Sequence, residues 1–250
     1  MNEIKAALMF FTRLPFWRIF RVPDESFKQV INYWAPVGWL TAGFTAAALW
    51  LLAHILPFPV AIIGAAGVRL LITGGLHEDG LADFFDGFGG GTSRERILAI
   101  MKDSHIGTYG VLALIFYFAL YYTSVSQMNL QLACLTLLSA DPLCKLIASQ
   151  MTLFLPYARN EATSKAHVVY NNMSVKPFLI SIVFGLAPIF FLLEIKFWLA
   201  ILFPLLVFWG LIALMKKKIG GYTGDCCGAS FLLCELSFIL GIIIISKILI

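Results

Sequence analysis

Long apolar runs separated by short polar connections leave this chain very few folds to choose from. Such runs occupy residues 35–56, 58–76, 110–126, 130–155, 178–193, 197–215 and 229–250. The hydrocarbon core of a bilayer takes about 20 predominantly apolar residues per crossing helix. In lipid every backbone amide must find its partner inside the protein, which restricts spanning structures to helices and closed barrels. The expected architecture is therefore all-α: a polytopic membrane helix bundle of about seven transmembrane helices, forming one integral-membrane catalytic domain over residues 1–250. Composition points the same way. Hydrophobic residues make up 60% of the chain and charged residues 13%, against roughly 45–50% and 25% in soluble domains. Pro57 and Pro59 predict a tight re-entry between the first two spans. Asp141, Pro142 and Lys145 interrupt the fourth run, which predicts two half-helices there.

At the N-terminus, the apolar piece Ala6–Phe11 is too short for the hydrophobic region of a signal peptide and ends at Arg13. Leu8, Phe11 and Phe16 interleave with Arg13, Arg18 and Arg21. That pattern suits either a helix lying in the membrane interface or a basic leader to the first span. The net charge of +4 is too small to argue for a nucleic-acid partner, and its placement is more informative than its size. With the N-terminus cytoplasmic, fourteen of the eighteen basic residues fall on one face, and Lys196 and Lys247 fall opposite. This positive-inside bias puts the long polar loops, 79–103, 159–176 and 216–225, on the cytoplasmic side of an inner membrane. The five cysteines have no framework spacing and read as reduced packing thiols. A homo-oligomer is compatible with such a bundle.

Chemistry concentrates between residues 74 and 110. Asp79, Asp83 and Asp86 are spaced by four and three residues, within an arc of about 60° on one helix face, and Glu78 precedes them. No Lys or Arg occurs between Arg69 and Arg94 to offset them. Like charges on one stripe repel, and a solvated face would intersperse lysines. A divalent cation supplies the missing positive charge: Mg²⁺, with Mn²⁺ as a substitute, held by Glu78, Asp79, Asp83 and Asp86 and sharing its shell with phosphate oxygens and water. His77 fits a general base, an orienting donor or a capping residue. The run Gly89, Gly90 and Gly91 follows the carboxylates and precedes Arg94, Arg96 and Lys102, an order that suits backbone amides and a cation around a diphosphate. Asp103 completes the metal shell or caps the next helix.

Further along, Gly220-Gly-Tyr-Thr-Gly-Asp225 delivers Thr223 and Asp225 to the membrane surface ahead of the last span. The Lys216–Lys218 triplet reads as a headgroup anchor. Arg69, Asp141, Lys145 and Glu235 lie within apolar runs, where a charge is costly unless paired or facing a polar cavity. For Arg69, either phosphate binding or a salt bridge with Glu235 or Asp141 meets that cost.

These motifs, taken in order, resemble the cobalamin synthase family. The resemblance rests on Thr73-Gly-Gly-Leu-His-Glu-Asp-Gly-Leu-Ala-Asp83 with Asp86 and the glycine run, on Met101-Lys-Asp-Ser-His-Ile-Gly-Thr-Tyr-Gly110, and on Gly220–Asp225 with Glu235. Phe10-Phe-Thr-Arg-Leu-Pro15, Ala35-Pro-Val-Gly38 and Leu155-Pro-Tyr-Ala-Arg159 extend it over nearly the whole chain. It implies a Mg²⁺-dependent phosphotransferase in which a hydroxyl of α-ribazole, or of its 5′-phosphate, attacks the phosphorus of adenosylcobinamide-GDP nearest the corrinoid. GMP leaves, and adenosylcobalamin or its 5′-phosphate forms. The chain departs from the family pattern at Lys145 and at His105, where an arginine is expected; a neutral imidazole does not replace a bidentate guanidinium on phosphate.

Two other functions remain open at this stage. A CDP-alcohol-type lipid phosphotransferase would use the same metal chemistry on another diphosphate. A cation-coupled transporter would instead place carboxylates near the bilayer midplane and show two similar halves, whereas here the carboxylates cluster at one face and no repeat is visible.

Overall fold

The computed structural model describes residues 1–159 and 174–248. Eleven α-helices occur among them: α1 (Asn2–Phe11), α2 (Trp34–Ala53), α3 (Phe58–Thr73), α4 (Leu76–Gly90), α5 (Arg94–Lys102), α6 (Thr108–Val125), α7 (Leu130–Ser149), α8 (Met151–Phe154), α9 (Val175–Leu186), α10 (Leu202–Ile219) and α11 (Gly224–Ile248). A 3₁₀ segment, Asp24–Tyr33, leads into α2. The α1 helix packs against it, burying Ala6, Ala7 and Phe11. α2 lies on α3 and α7, and α11 is central, touching α4, α6, α7 and α10.

Among the described residues, five helices are long and apolar enough to cross a membrane: 24–53, 108–125, 130–154, 195–219 and 224–248, with 3₁₀ segments continuing some of them. A sixth crossing exists if the α3–α4 pair, bent by 91°, counts as one. The expected seven are thus not all present as separate spans among the described residues. Two runs account for the difference. The run at 58–76 becomes α3, whose 16 residues reach about 24 Å at 1.5 Å per residue, short of the roughly 30 Å hydrocarbon core. It stops because Gly74 and Gly75 both adopt left-handed conformations, φ +67° and +69°. The run at 178–193 yields only the 12-residue α9, which tightens into a 3₁₀ turn at Ala187–Phe191 around Pro188.

The fourth run corrects a second expectation. α7 is one continuous helix, with Pro142 inside it rather than between two halves. Proline removes one amide donor, but a membrane helix continues through it where neighbouring helices pack over the break. Gly38 of α2 provides that packing: a Cβ there would lie 2.7 Å from the Pro142 Cα. The charges beside Pro142 pair with each other. Lys145 Nζ lies 2.6 Å from Asp141 Oδ1 and donates to Thr41 Oγ1 at 2.7 Å, while Thr41 donates to Asp141 Oδ2 at 2.8 Å.

Candidate active site

The site forms where α4 crosses the start of α11. Backbones touch there because two residues lack a Cβ. One added at Gly80 would meet the Asp225 carbonyl oxygen at 3.0 Å, and one at Gly228 would meet the His77 Cα at 3.3 Å. α10 ends at Gly220, φ +64°, and the chain turns into α11. Thr223, fully buried, accepts from the Cys226 amide and donates to Asp225 Oδ2, each at 3.3 Å, so it closes the first turn of α11 and holds the Asp225 carboxylate.

The segment after α8 is tied to this turn by main-chain bonds. Tyr222 N–H donates to the Pro156 carbonyl at 3.0 Å and Ala158 N–H to the Tyr222 carbonyl at 2.8 Å, forming a parallel bridge. Arg94, at the start of α5, donates to the carbonyls of Ile219 and Ala158, both at 2.9 Å. Arg159 follows the bridge, its Nη2 donating to the Leu98 carbonyl at 2.8 Å and its Nη1 3.7 Å from Asp225 Oδ2.

A cavity of about 300 Å³ opens here. Asp79, Asp225, Arg159 and Tyr157 contribute its polar lining; Phe10, Phe11, Ile31 and Trp34 contribute an apolar wall; His77 and Cys227 complete it. Asp79 is exposed, on the first turn of α4, and Asp225 lies on the first turn of α11, so two helix N-termini and a guanidinium share one concavity. That arrangement suits phosphate oxygens. His77 is buried among the rings of Phe231, Trp34 and Phe11, at centroid distances of 4.9, 5.3 and 6.3 Å.

The structure disperses the rest of the acidic stripe. Glu78 turns away from the cavity and accepts from Arg69 Nη2 at 3.2 Å. Arg69, also buried, takes the salt-bridge option: Nη1 donates to Glu235 Oε2 at 2.7 Å and Nη2 to Tyr117 Oη at 2.8 Å, while Tyr117 donates to Glu235 Oε2 at 2.6 Å. Asp83 is buried one turn beyond Asp79. Asp86 anchors the start of α6, its two oxygens accepting the Gly107 and Gly110 amides at 2.7 and 2.9 Å. Among the described residues no three His, Cys, Asp or Glu side chains converge where they could hold a metal ion. Of the four carboxylates read from the sequence as metal ligands, Asp79 lines the cavity and Glu78, Asp83 and Asp86 do not; one helix face does not aim every side chain at one point.

The glycine run is the end of α4, capped at Gly91. A Cβ at Gly89 would meet the Tyr109 ring at 2.7 Å, and one at Gly91 would meet Ile97, so packing on α5 and α6 accounts for these two glycines. Gly90 is exposed beside Ile100. Lys102, the last residue of α5, and Asp103 and His105 in the α5–α6 connection are exposed and do not line the cavity. His105 Nδ1 lies 2.6 Å from Asp103 Oδ1, and hydrogen bonding to the ring and backbone of His105 holds the Asp103 carboxyl below its ordinary range.

Sequence reasoning did not single out Phe11, Trp34 or Tyr157 as site residues, and treated Arg159 only as a loop cation. For Phe11, Tyr157 and Arg159 the signal lay in the family motifs 10–15 and 155–159, both of which reach the cavity, while Trp34 directly precedes the motif 35–38.

Comparison with known proteins gives one consistent result. Residues 3–243 match the family model described as cobalamin-5-phosphate synthase. A Shewanella baltica protein named adenosylcobinamide-GDP ribazoletransferase is 35% identical over 250 residues, covering 97% of this chain and 94% of its own length. Proteins of the same name from Shewanella woodyi (37%; 92% and 91% covered) and Leptospira interrogans (34%; 96% and 94% covered) are similar to it as well. No solved structure matches. With the motifs in order along the chain and the match running nearly end to end, the chain belongs to the cobalamin-5-phosphate synthase family.

Proposed function

We propose that the chain transfers the corrinoid-bearing phosphate of adenosylcobinamide-GDP to a hydroxyl of α-ribazole or its 5′-phosphate. The new bond joins the acceptor oxygen to the phosphorus nearest the corrinoid. The bond from that phosphorus to the bridging oxygen breaks, GMP departs with that oxygen, and the acceptor's proton is released. Adenosylcobalamin or its 5′-phosphate is the product. The observation that carries this reading is the near full-length family match, whose separated motifs (10–15, 73–83, 155–159 and 220–225) meet around one cavity.

Asp79 and Asp225 are the residues that would hold Mg²⁺, or Mn²⁺ in its place. Two carboxylates are too few for an all-protein cage, but they fit Mg²⁺, which commonly takes one or two carboxylates and fills its shell with substrate phosphates and water. When bound, the ion would neutralise charge developing on the transferred and leaving phosphates. Arg159 adds a fixed positive charge at the same place, and its bond to Leu98 keeps it oriented. Thr223 fixes the Asp225 rotamer. Phe10, Phe11, Ile31 and Trp34 keep water from one side of the reacting groups. The lysine and arginine distribution supports a position for this end of the bundle on the cytoplasmic face of an inner membrane.

The test uses purified protein in nanodiscs with adenosylcobinamide-GDP, α-ribazole and Mg²⁺. GMP and a complete corrinoid should appear in equal amounts, cease with EDTA and return with added Mg²⁺. GMP formed without consumption of α-ribazole would contradict the transfer.

A further inference from the structure

Arg94 does not line the cavity, yet it joins the two chain segments that supply Arg159 and Asp225. Its Nε donates to the Ile219 carbonyl and its Nη2 to the Ala158 carbonyl, each at 2.9 Å. Ile219 is the last residue of α10, so its carbonyl is one that a helix end leaves without an internal partner. The Ala158 carbonyl belongs to the planar peptide group that runs into Arg159, so the second bond fixes the plane from which Arg159 departs. The parallel bridge lies between these two carbonyls. Gly221 lets its strands close up, since a Cβ there would meet the Pro156 oxygen and the Ala158 Cα.

Arg159 returns the contact. Its Nη2 donates to the Leu98 carbonyl, about one turn further along α5. α5 is fixed in turn to α4, the helix of Asp79, where Met101 and Ile97 close over Gly87 and Gly91. Its start is capped by Ser93, whose Oγ accepts from the Arg96 amide at 3.2 Å. α5 therefore splints the helix of Asp79 to the pair Arg159–Asp225. That pair stands 3.7 Å apart, beyond the roughly 2.7–2.9 Å of a direct charged hydrogen bond. The segments beneath the two side chains, rather than a bond between them, set the spacing.

We infer that Arg94 is a positioning residue for the transfer: it sets where the Arg159 guanidinium stands against Asp225, and so where both meet the diphosphate. The inference rests on the transferase reading above, and it gives Arg94 a structural purpose at the site in place of phosphate contact. One planar guanidinium reaches carbonyls on two segments at once, whereas a lysine offers a single point of charge on a flexible stem. Misplacing a group at a reacting centre by about 1 Å can cost on the order of a hundredfold in rate.

The test is a double-mutant cycle on kcat, both substrates saturating, with hydrogen exchange beside it. Arg94→Ala should lower kcat at least about tenfold and leave KM for both substrates within about twofold. Arg94→Lys should recover only part of the loss, and it carries the cycle if Arg94→Ala does not fold. In an Arg159→Ala background either change should lower kcat by no more than about twofold, because the side chain being positioned is gone. Losses that multiply in the double variant overturn the inference, as they would make Arg94 a general brace; so does a folded Arg94→Ala protein with parental kcat. Hydrogen exchange needs no turnover. The amides of Ala158 and Tyr222, which form the bridge, should exchange at least about tenfold faster without the Arg94 guanidinium, and unchanged exchange overturns the clamp. A parent protein that releases no GMP contradicts the transferase reading instead, and the exchange measurement still decides whether Arg94 holds the two segments.

Discussion

Glu235 shows how far a single residue can be read. An acidic side chain inside an apolar run requires a partner, and the sequence narrows Arg69 to a phosphate or to Glu235 or Asp141; only the fold selects Glu235. Removing Glu235 leaves the buried Arg69 with Glu78 alone, at the longer distance of 3.2 Å, and Tyr117 without its acceptor. Glu235→Ala should therefore lower stability by about 3–5 kcal/mol, read as a lower midpoint of thermal unfolding in detergent. An unchanged midpoint would mean that Glu78, the second carboxylate on Arg69, is enough to neutralise it. The aspartates separate in the same way. Asp86 receives two backbone amides and Asp79 faces the cavity, although their spacing made them look equivalent. Asp86→Asn leaves an amide group against a backbone donor and should lose about 1–3 kcal/mol of stability. Asp79→Asn should keep stability within about 0.5 kcal/mol and lose most turnover. Equal stability losses in the two variants would show that they share one role. Periodicity reports the face a residue occupies, and partners contributed by α6 and α11 are invisible to it.

At the scale of elements, hydropathy located most helices because apolar length is a local property. It missed the bend between α3 and α4, since Thr73-Gly-Gly-Leu76 reads equally as a flexible end or as the pair of left-handed residues it is. It also divided α7 at Pro142, where the outcome depends on a different helix. The α2–α7 contact can be tested directly. Gly38→Leu places side-chain atoms against the Pro142 backbone, and overpacking of this kind typically costs about 1–3 kcal/mol. Thermal unfolding should show that loss, and the Lys145–Asp141 pair beside it should make the variant more sensitive than a leucine at Gly43, where a Cβ would meet nothing within 4 Å. Equal stability of the two variants would mean that the close approach is dispensable.

For the molecule as a whole, composition alone identified a membrane bundle and the motifs identified its family. Neither showed how residues about 140 positions apart come to share one cavity; that follows from the α4–α11 crossing and the main-chain bridge between Tyr157 and Tyr222. The segment 160–173, most of the loop expected on the cytoplasmic face between α8 and α9, lies outside the described residues. If the charge asymmetry sets the orientation, single cysteines at positions 90 and 220 in an otherwise cysteine-free chain should both react with an impermeant reagent from the cytoplasmic side. Reaction from opposite sides would contradict the orientation and the shared site together. The most direct test of the central claim, that Asp225 and Asp79 work in one phosphotransfer site, is the kcat of Asp225→Asn with both substrates saturating. It should fall at least about tenfold, or about 1.4 kcal/mol of transition-state stabilisation, with thermal stability kept and a higher Mg²⁺ requirement. A folded Asp225→Asn protein with parental kcat and parental Mg²⁺ dependence would contradict it.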